Sequence, residues 1–477
     1  MSRDNSISNS KKFEMDMTSG PLLGKMIRFS VPIMLTGILQ LLFNAADLVM
    51  VGRYTGSAAL AGVGCCSSLI NLIINTFIGF SVGSGVVVAQ HIGARKYGEL
   101  QRLVNTTFTS SIIIGLIVGV FGFFAAEPLL ILMDTPDDVL AEAVPYMRAY
   151  FVGVPACVIY NYMASVLRST GDTRRPLYFL TVAGVVNVIF NYVMIRFFSL
   201  GAMGVGIATA ASQFVAATMI LIHMVRMDNA CRLTGLCMDF RKLGAILAIG
   251  LPAGIQSALF SLSNVLIQST VNGYGTVVMA GNAAAGNLEG FVYTSMNSVY
   301  QTALTFTGQN MGAGQYSRIK KIALRASLIV FVLGTTLGSL LYIFGRPLLS
   351  IYEPGKDDVI AAGMNRLLII GLFYCLCGLM DVICGMLRGM GKTFVPMIVS
   401  LIGSCAFRIV WIYTVCVMFP DNILVLYISY PISWTLTAGA HLFFFIRAYR
   451  KLTGKKSDAE KKEENALVGA GAEARTK

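Results

Sequence analysis

The chain has 477 residues, of which 55% are hydrophobic and only 13% carry a charge. Soluble domains carry roughly 25% charged residues, so the composition excludes a soluble enzyme, a disordered protein and a nucleic-acid module. Lys and Arg outnumber Asp and Glu by 37 to 24, a net charge of +13 whose placement decides its meaning.

The first 25 residues are polar and basic with no apolar run, so no cleavable signal peptide is expected. Beyond them the sequence breaks into apolar stretches at 27–52, 59–89, 103–125, 139–166, 177–198, 203–225, 243–271, 277–308, 323–345, 361–386, 396–418 and 423–446. Backbone groups in lipid must be satisfied within the segment. Each stretch therefore predicts a transmembrane helix, the longer ones tilting or reaching the interface. The expected fold class is an all-α polytopic membrane protein with twelve transmembrane helices. The ten cysteines fall mostly in these greasy runs, as at Cys65-Cys66, Cys375, Cys377 and Cys405, and read as small apolar residues.

With the N-terminus inside, the inner segments and termini collect 30 of the 37 basic residues, from Arg3, Lys11 and Lys12 to Lys477. Only Arg53, Arg196, Arg346 and Lys356 fall in outer loops, while Arg148, Arg366 and Arg408 lie within or at the ends of helices. This asymmetry puts both termini in the cytoplasm. The positive charge is an orientation signal, with anionic lipid as an accessory partner and no nucleic acid.

The two halves repeat at an offset of 219 to 220 residues. Gln90-His91-Ile92-Gly93-Ala94-Arg95-Lys96-Tyr97 returns as Gln309-Asn310-Met311-Gly312-Ala313-Gly314-Gln315-Tyr316. Leu167-Arg168, Gly171, Thr173 and Pro176 return as Leu387-Arg388, Gly391, Thr393 and Pro396, and Pro32 as Pro252. The pair Gly115 and Gly119 returns as Gly334 and Gly338, spaced for close helix approach. Six helices per half insert in the same sense, so the lobes are related by an axis along the membrane normal, with a cavity between them. The duplicated motifs read as inner-loop architecture, with Arg168 and Arg388 near the cytoplasmic surface. The expected domains are a cytoplasmic segment 1–19, an N-lobe 20–228 (helices 1–6), a loop 229–239, a C-lobe 240–455 (helices 7–12) and a cytoplasmic tail 456–477.

This duplicated pattern, together with Asn44-Ala45-Ala46-Asp47-Leu48-Val49-Met50-Val51-Gly52 in the first helix, resembles the multidrug and toxic compound extrusion (MATE) transporters over residues 20 to 450. The resemblance implies a cation-coupled antiporter of the plasma membrane, prokaryotic and monomeric, that exports small organic cations or drugs in exchange for protons or sodium. The sequence offers no convergent nucleophile, base or metal cluster, so no enzyme activity is expected, and no cofactor beyond the coupling ion.

Only Asp47, Glu289 and Asp381 among the 24 acidic residues fall well inside predicted spans. Intramembrane carboxylates mark functional sites or ion pairs. The resemblance matches Asp47 to a first-helix coupling acid, with Asn187 and Asn191, which share a helix face, and Thr209 as partners. Relatives that carry a second acid do so where Asn191 stands, so this site has one ionisable group. One carboxylate with two amides is a modest sodium cage, which favours a proton at Asp47. No other metal site is expected. Gln256, Asn264, Glu289 and Asp381 are expected to line a polar C-lobe cavity, with Ser257, Ser263 and Gln268 on the same face as Gln256. An ion pair between Asp381 and Arg408 is the structural alternative for Asp381, and interhelical hydrogen bonding is the alternative for Glu289. His91, His223 and His441 lack ligand spacing and are expected at the surface. Gly389-Met390-Gly391-Lys392-Thr393 mimics part of a phosphate loop but has Met386 where that motif requires Gly. A lipid-linked saccharide flippase is the rival function. It calls for several Arg or Lys inside the spans, whereas the embedded charges read as mainly acidic. A non-transporting receptor is a further rival, disfavoured by the duplication.

Overall fold

Helix is the only regular structure in the computed structural model among the residues it describes, which are 15–55, 57–133, 135–352 and 354–475. Arg3, Lys11, Lys12 and Lys477 of the basic count lie outside them. The N-lobe runs through α1 (Leu22–Tyr54), α2 (Ser57–Gly93), α3 (Tyr97–Leu132), α4 (Asp137–Ser169), α5 (Arg174–Arg196) and α6 (Gly201–Arg226). The C-lobe follows with α7 (Phe240–Asn272), α8 (Thr276–Gly312), α9 (Tyr316–Ile343) and a short α10 (Gly345–Tyr352). It continues with α11 (Asp357–Arg366), α12 (Tyr374–Gly389), α13 (Phe394–Ser400), α14 (Phe407–Trp411) and α15 (Ile423–Arg475).

Ten helices or helical runs are long and apolar enough to cross a bilayer, and α11 with α12 makes an eleventh. The twelfth is α8, whose 37 residues are ample for a span but carry Asn282, Glu289, Ser295, Ser298, Thr302 and Gln309 as buried polar groups. Its low hydropathy reflects what it faces. Most elements are longer than the apolar runs predicted, because polar turns at one end or both continue the helices.

Two spans are interrupted. The tenth continues from α11 through a π turn at Leu367–Gly371 and then bends by 43° at the short break before α12. The eleventh carries π turns at Leu401–Ala406 and Ile412–Cys416 on either side of α14. Apolar patterning cannot register a π turn, which inserts one residue per turn without changing composition. Such turns concentrate at functional sites, and here they adjoin Arg366 and Arg408.

Met17, near the start of the described chain, and Leu452, in the last helix, share one apolar cluster, which marks one face of the bundle, the terminal end. The repeated glycines act in packing. A Cβ on Gly115 would sit 2.8 Å from the Pro155 Cα of α4, and one on Gly334 would sit 2.8 Å from the Cys375 Cα of α12. Gly79 and Gly83 of α2 meet Gly254 and Gly250 of α7, where a Cβ would lie 2.6 Å from backbone atoms. Gly171 and Gly391, with φ of +95° and +78°, turn the chain after α4 and α12 in the left-handed conformation that glycine favours.

Packing does not follow the simple lobe boundary. The terminal half of α1 (Leu22, Met26, Phe29) is buried in the C-lobe core, where Phe29 meets Phe306 edge-on at 5.6 Å. Its far end, at Val51, belongs to the N-lobe core. The repeat partner α7 does the converse, with Ile246, Ile249 and Ala253 in the N-lobe core and Ile267 and Val271 in a C-lobe cluster. Each lobe's first helix thus crosses into the other lobe.

At the terminal end the duplicated motifs meet across the lobes. Gln90 Nε2 donates to the Gly389 carbonyl at 2.9 Å, and its counterpart Gln309 Nε2 donates to the Ser169 carbonyl at 2.7 Å. The two Leu-Arg turns and the two α2/α8 ends therefore form a reciprocal latch. A buried hydrogen bond contributes about 1 kcal/mol, so Gln90→Ala with Gln309→Ala is expected to loosen this end by about 2 kcal/mol. Amide hydrogen exchange of the latched segments around 90–96 and 309–316 should then accelerate by roughly tenfold or more. Unchanged exchange in the folded double variant would remove the latch.

Candidate functional site

Two polar sites lie at membrane depth. The first lies toward the far end of the N-lobe, where Asp47 stands seven residues before the end of α1. Asn191 Nδ2 of α5 donates to Asp47 Oδ1 and, at 3.2 Å, to Asn187 Oδ1. Asn187 Nδ2 in turn donates to Thr209 Oγ1 of α6 at 3.3 Å. The four residues expected from the sequence form one hydrogen-bonded chain across three helices. The helix spacing of Asn187 and Asn191 puts both amides on one face, and α5 buries that face. Asn191 Oδ1 is buried and accepts no hydrogen bond. A carboxylate, that carbonyl and a hydroxyl are hard oxygen donors, a set that suits either an alkali cation or a proton shared with the carboxyl.

The second site is a cavity of about 730 Å³, walled mainly by α7, α8, α11, α12, α14 and α15, with α2 closing one side. Gln256, Asn264, Glu289 and Asp381, anticipated from the sequence, all line it, as do Ser257 and Gln268; Ser263 is buried in α7 without lining it. The sequence did not anticipate three arginines in the same wall. Arg366 binds Glu289 through Nε at 3.0 Å and Nη2 at 2.7 Å, and its Nη1 donates to Asn282 Oδ1 at 2.6 Å. Arg388 donates to Tyr300 Oη and Gln256 Oε1, both at 2.7 Å. Arg408 donates to Ser433 Oγ at 2.9 Å, and its guanidinium stacks 4.0 Å from the Tyr430 ring centroid and 5.6 Å from that of Trp434.

These facts correct four expectations. Arg388 is not at the surface; it is 7% exposed and faces the cavity. The positive-inside count had placed it with the loops, because its motif ends in a turn. The embedded charge is not mainly acidic, since three arginines share the cavity wall with two carboxylates. The Asp381–Arg408 pair does not form. Ion pairs among the described residues include Arg366–Glu289, Arg148–Glu127, Arg175–Asp172 and Lys242–Glu99, and none takes in Asp381, Arg388 or Arg408. Nor is His441 at the surface. It is fully buried, 3.3 Å from Ser400 Oγ and from the Met380 and Pro396 carbonyls, and it ties α15 to α12 and α13.

A "Probable multidrug resistance protein YoeA" of Bacillus subtilis is 28% identical over 420 residues, 86% of this chain and 90% of the relative. An "FAD transporter" of Shewanella oneidensis is 26% identical over 347 residues, covering 71% and 76% of the two chains. The solved structure titled "Reverse polarity of binding pocket suggests different function of a MOP superfamily transporter from Pyrococcus furiosus Vc1" superposes with a TM-score of 0.86. It is 20% identical, with 92% of this chain and 98% of that one covered, and so supports the fold alone. The MatE family model matches residues 32–193 and 252–414, one stretch in each half. The chain therefore belongs to the MatE family, the multidrug and toxic compound extrusion transporters of the membrane.

Proposed function

We propose that the chain is a secondary antiporter that exports amphipathic small organic molecules from the cytoplasm, exchanging them for a proton or sodium ion bound at Asp47. The observation that carries this reading is the chain of Asp47, Asn191, Asn187 and Thr209, with its buried, unpartnered carbonyl. As seen, Asn191 donates to Asp47, the arrangement an ionised carboxylate requires. A proton on Asp47 makes it a donor, and the free Asn191 carbonyl is the acceptor available once the amide turns over. Sodium would use the same carbonyl as a ligand. One carboxylate among neutral groups favours the proton.

Because α1 has Asp47 near one end and the C-lobe core around its other end, repacking at the ion site is transmitted to the lobe interface. The terminal end is bridged by the glutamine latch, and its basic residues favour the cytoplasmic side. Substrate occupies the cavity, and Arg388 in its wall precedes Gly389, whose carbonyl is a latch acceptor. The volume falls within the range of small-molecule sites, which, with the family, favours a drug-sized substrate over a lipid-linked saccharide. An organic cation as substrate has Asp381 and the aromatic wall in its favour and the arginines against it.

Proteoliposomes loaded with a reporter dye test the coupling. Acidifying the side that Asp47 faces should drive exchange with or without sodium. If sodium drives it at fixed pH while a pH gradient does nothing, the ion is sodium. If neither gradient drives exchange, the antiporter reading fails.

A further inference from the structure

Arg388 and Arg408 are buried guanidiniums, 7% and 4% exposed, in the wall of an open cavity. Neither has a carboxylate within ion-pair distance among the described residues. Their contacting partners are neutral, a phenol and an amide for Arg388 and a hydroxyl and two ring faces for Arg408, while Asp381 acts on Arg388 only through space. Arg388 Nε and Arg408 Nη2 are buried with no hydrogen bond at all. An unpaired buried charge costs several kcal/mol, and at membrane depth such a group marks a functional site. Glu289 cannot compensate, because both its oxygens already bind Arg366. Asp381 is the one remaining carboxylate in the wall, so the cavity stays cationic even with Asp381 ionised.

We propose that this cavity recognises an organic anion, a carboxylate or phosphate on a small apolar body, with Arg388 and Arg408 as its anchors and Tyr430 and Trp434 holding the Arg408 guanidinium in place. The planar guanidinium fork matches the oxygens of either anion, and such charge-assisted bonds are roughly twice as strong as neutral ones. Stacking on Tyr430 fixes the plane of the Arg408 fork before ligand arrives. The inference rests on the reading of this cavity as the substrate site. It sets the substrate class against the organic cations that the family resemblance implies.

The test is calorimetric titration of the full-length protein in lipid nanodiscs with three probes of similar ring size: 2-naphthoate, 2-naphthyl phosphate and N-methylquinolinium. Without an ion gradient, binding is read independently of antiport. A protein that binds the anions but shows no gradient-driven exchange therefore sinks the antiporter reading and leaves this one standing. At least one anion should bind ten times or more tightly than the quinolinium, and preference between the two identifies the anionic group. Arg408→Gln should weaken anion binding by roughly ten- to a hundredfold, with Arg408→Lys falling between. Asp381→Asn keeps both arginines and removes the competing charge, so it should tighten anion binding severalfold even if the arginine variants do not fold. Tighter binding of the quinolinium, lost in Asp381→Asn, would overturn the proposal, as would anion affinity unchanged in folded Arg408→Gln.

Discussion

Asp47→Asn is expected to insert and fold normally while gradient-driven efflux falls to the level of protein-free liposomes. The substitution keeps the size of the side chain and one oxygen to accept from Asn191 Nδ2, so the link from α1 to α5 survives. What disappears is the ionisable group, and with it any means of exchanging a proton or balancing a sodium ion at that position. Asn191→Ala should act more weakly. It removes a neutral bridge between Asp47 and Asn187, worth about 1–2 kcal/mol in a buried setting, a slowing of roughly tenfold. Efflux measured in proteoliposomes, with thermal melting as the control for folding, separates the outcomes. Wild-type efflux from Asp47→Asn would take the residue out of the mechanism, and an Asn191→Ala defect equal to it would mean that the network rather than the charge is essential.

The contact among Asp47, Asn187, Asn191 and Thr209 was foreseen through the family resemblance, and the pairing of the two amides through helix spacing alone. Asn187 and Asn191 lie one turn apart, so any helix through them presents both amides together. The twofold repeat was legible from the residues themselves: most of its glycines sit where backbones touch or where the chain turns in the left-handed conformation. The C-lobe arginines were not. Arg388 sits in a turn motif whose N-lobe copy, Arg168, is half-buried and bonds the Ala164 carbonyl of its own helix, so the sequence read both as loop residues. The burial of Arg388 depends on Tyr300 and Gln256 arriving from two other helices, which no local pattern encodes. The crossing of α1 and α7 between cores escaped for the same reason. A hydrophobic face shows that a helix is buried, not which lobe buries it.

The largest expected effect on stability is at Glu289 and Arg366. Their side chains are 4% and 14% exposed and joined by two hydrogen bonds in a bidentate pair, with Asn282 taking a further guanidinium proton. Breaking a buried pair by removing one partner strands the other charge, at about 3–5 kcal/mol. Glu289→Gln and Arg366→Gln are each expected to lower the melting temperature sharply, whereas the double variant, which strands neither charge, should recover much of the loss. The location gives the pair a second consequence. Arg366 is the last residue of α11, directly before the π turn that leads into the 43° bend, and Glu289 lies on α8, against which α11 packs. The pair therefore holds the bend against the cavity wall, and losing it should also raise amide exchange through Leu367–Gly371. A different result follows if Glu289 serves chiefly to bind a cationic substrate. Glu289→Gln would then cost affinity for N-methylquinolinium while the melting temperature stayed near wild type, and Arg366→Gln, freeing the carboxylate, would increase that affinity. Melting of the two single variants and the double one decides between a pair that shapes the cavity and a carboxylate that fills it.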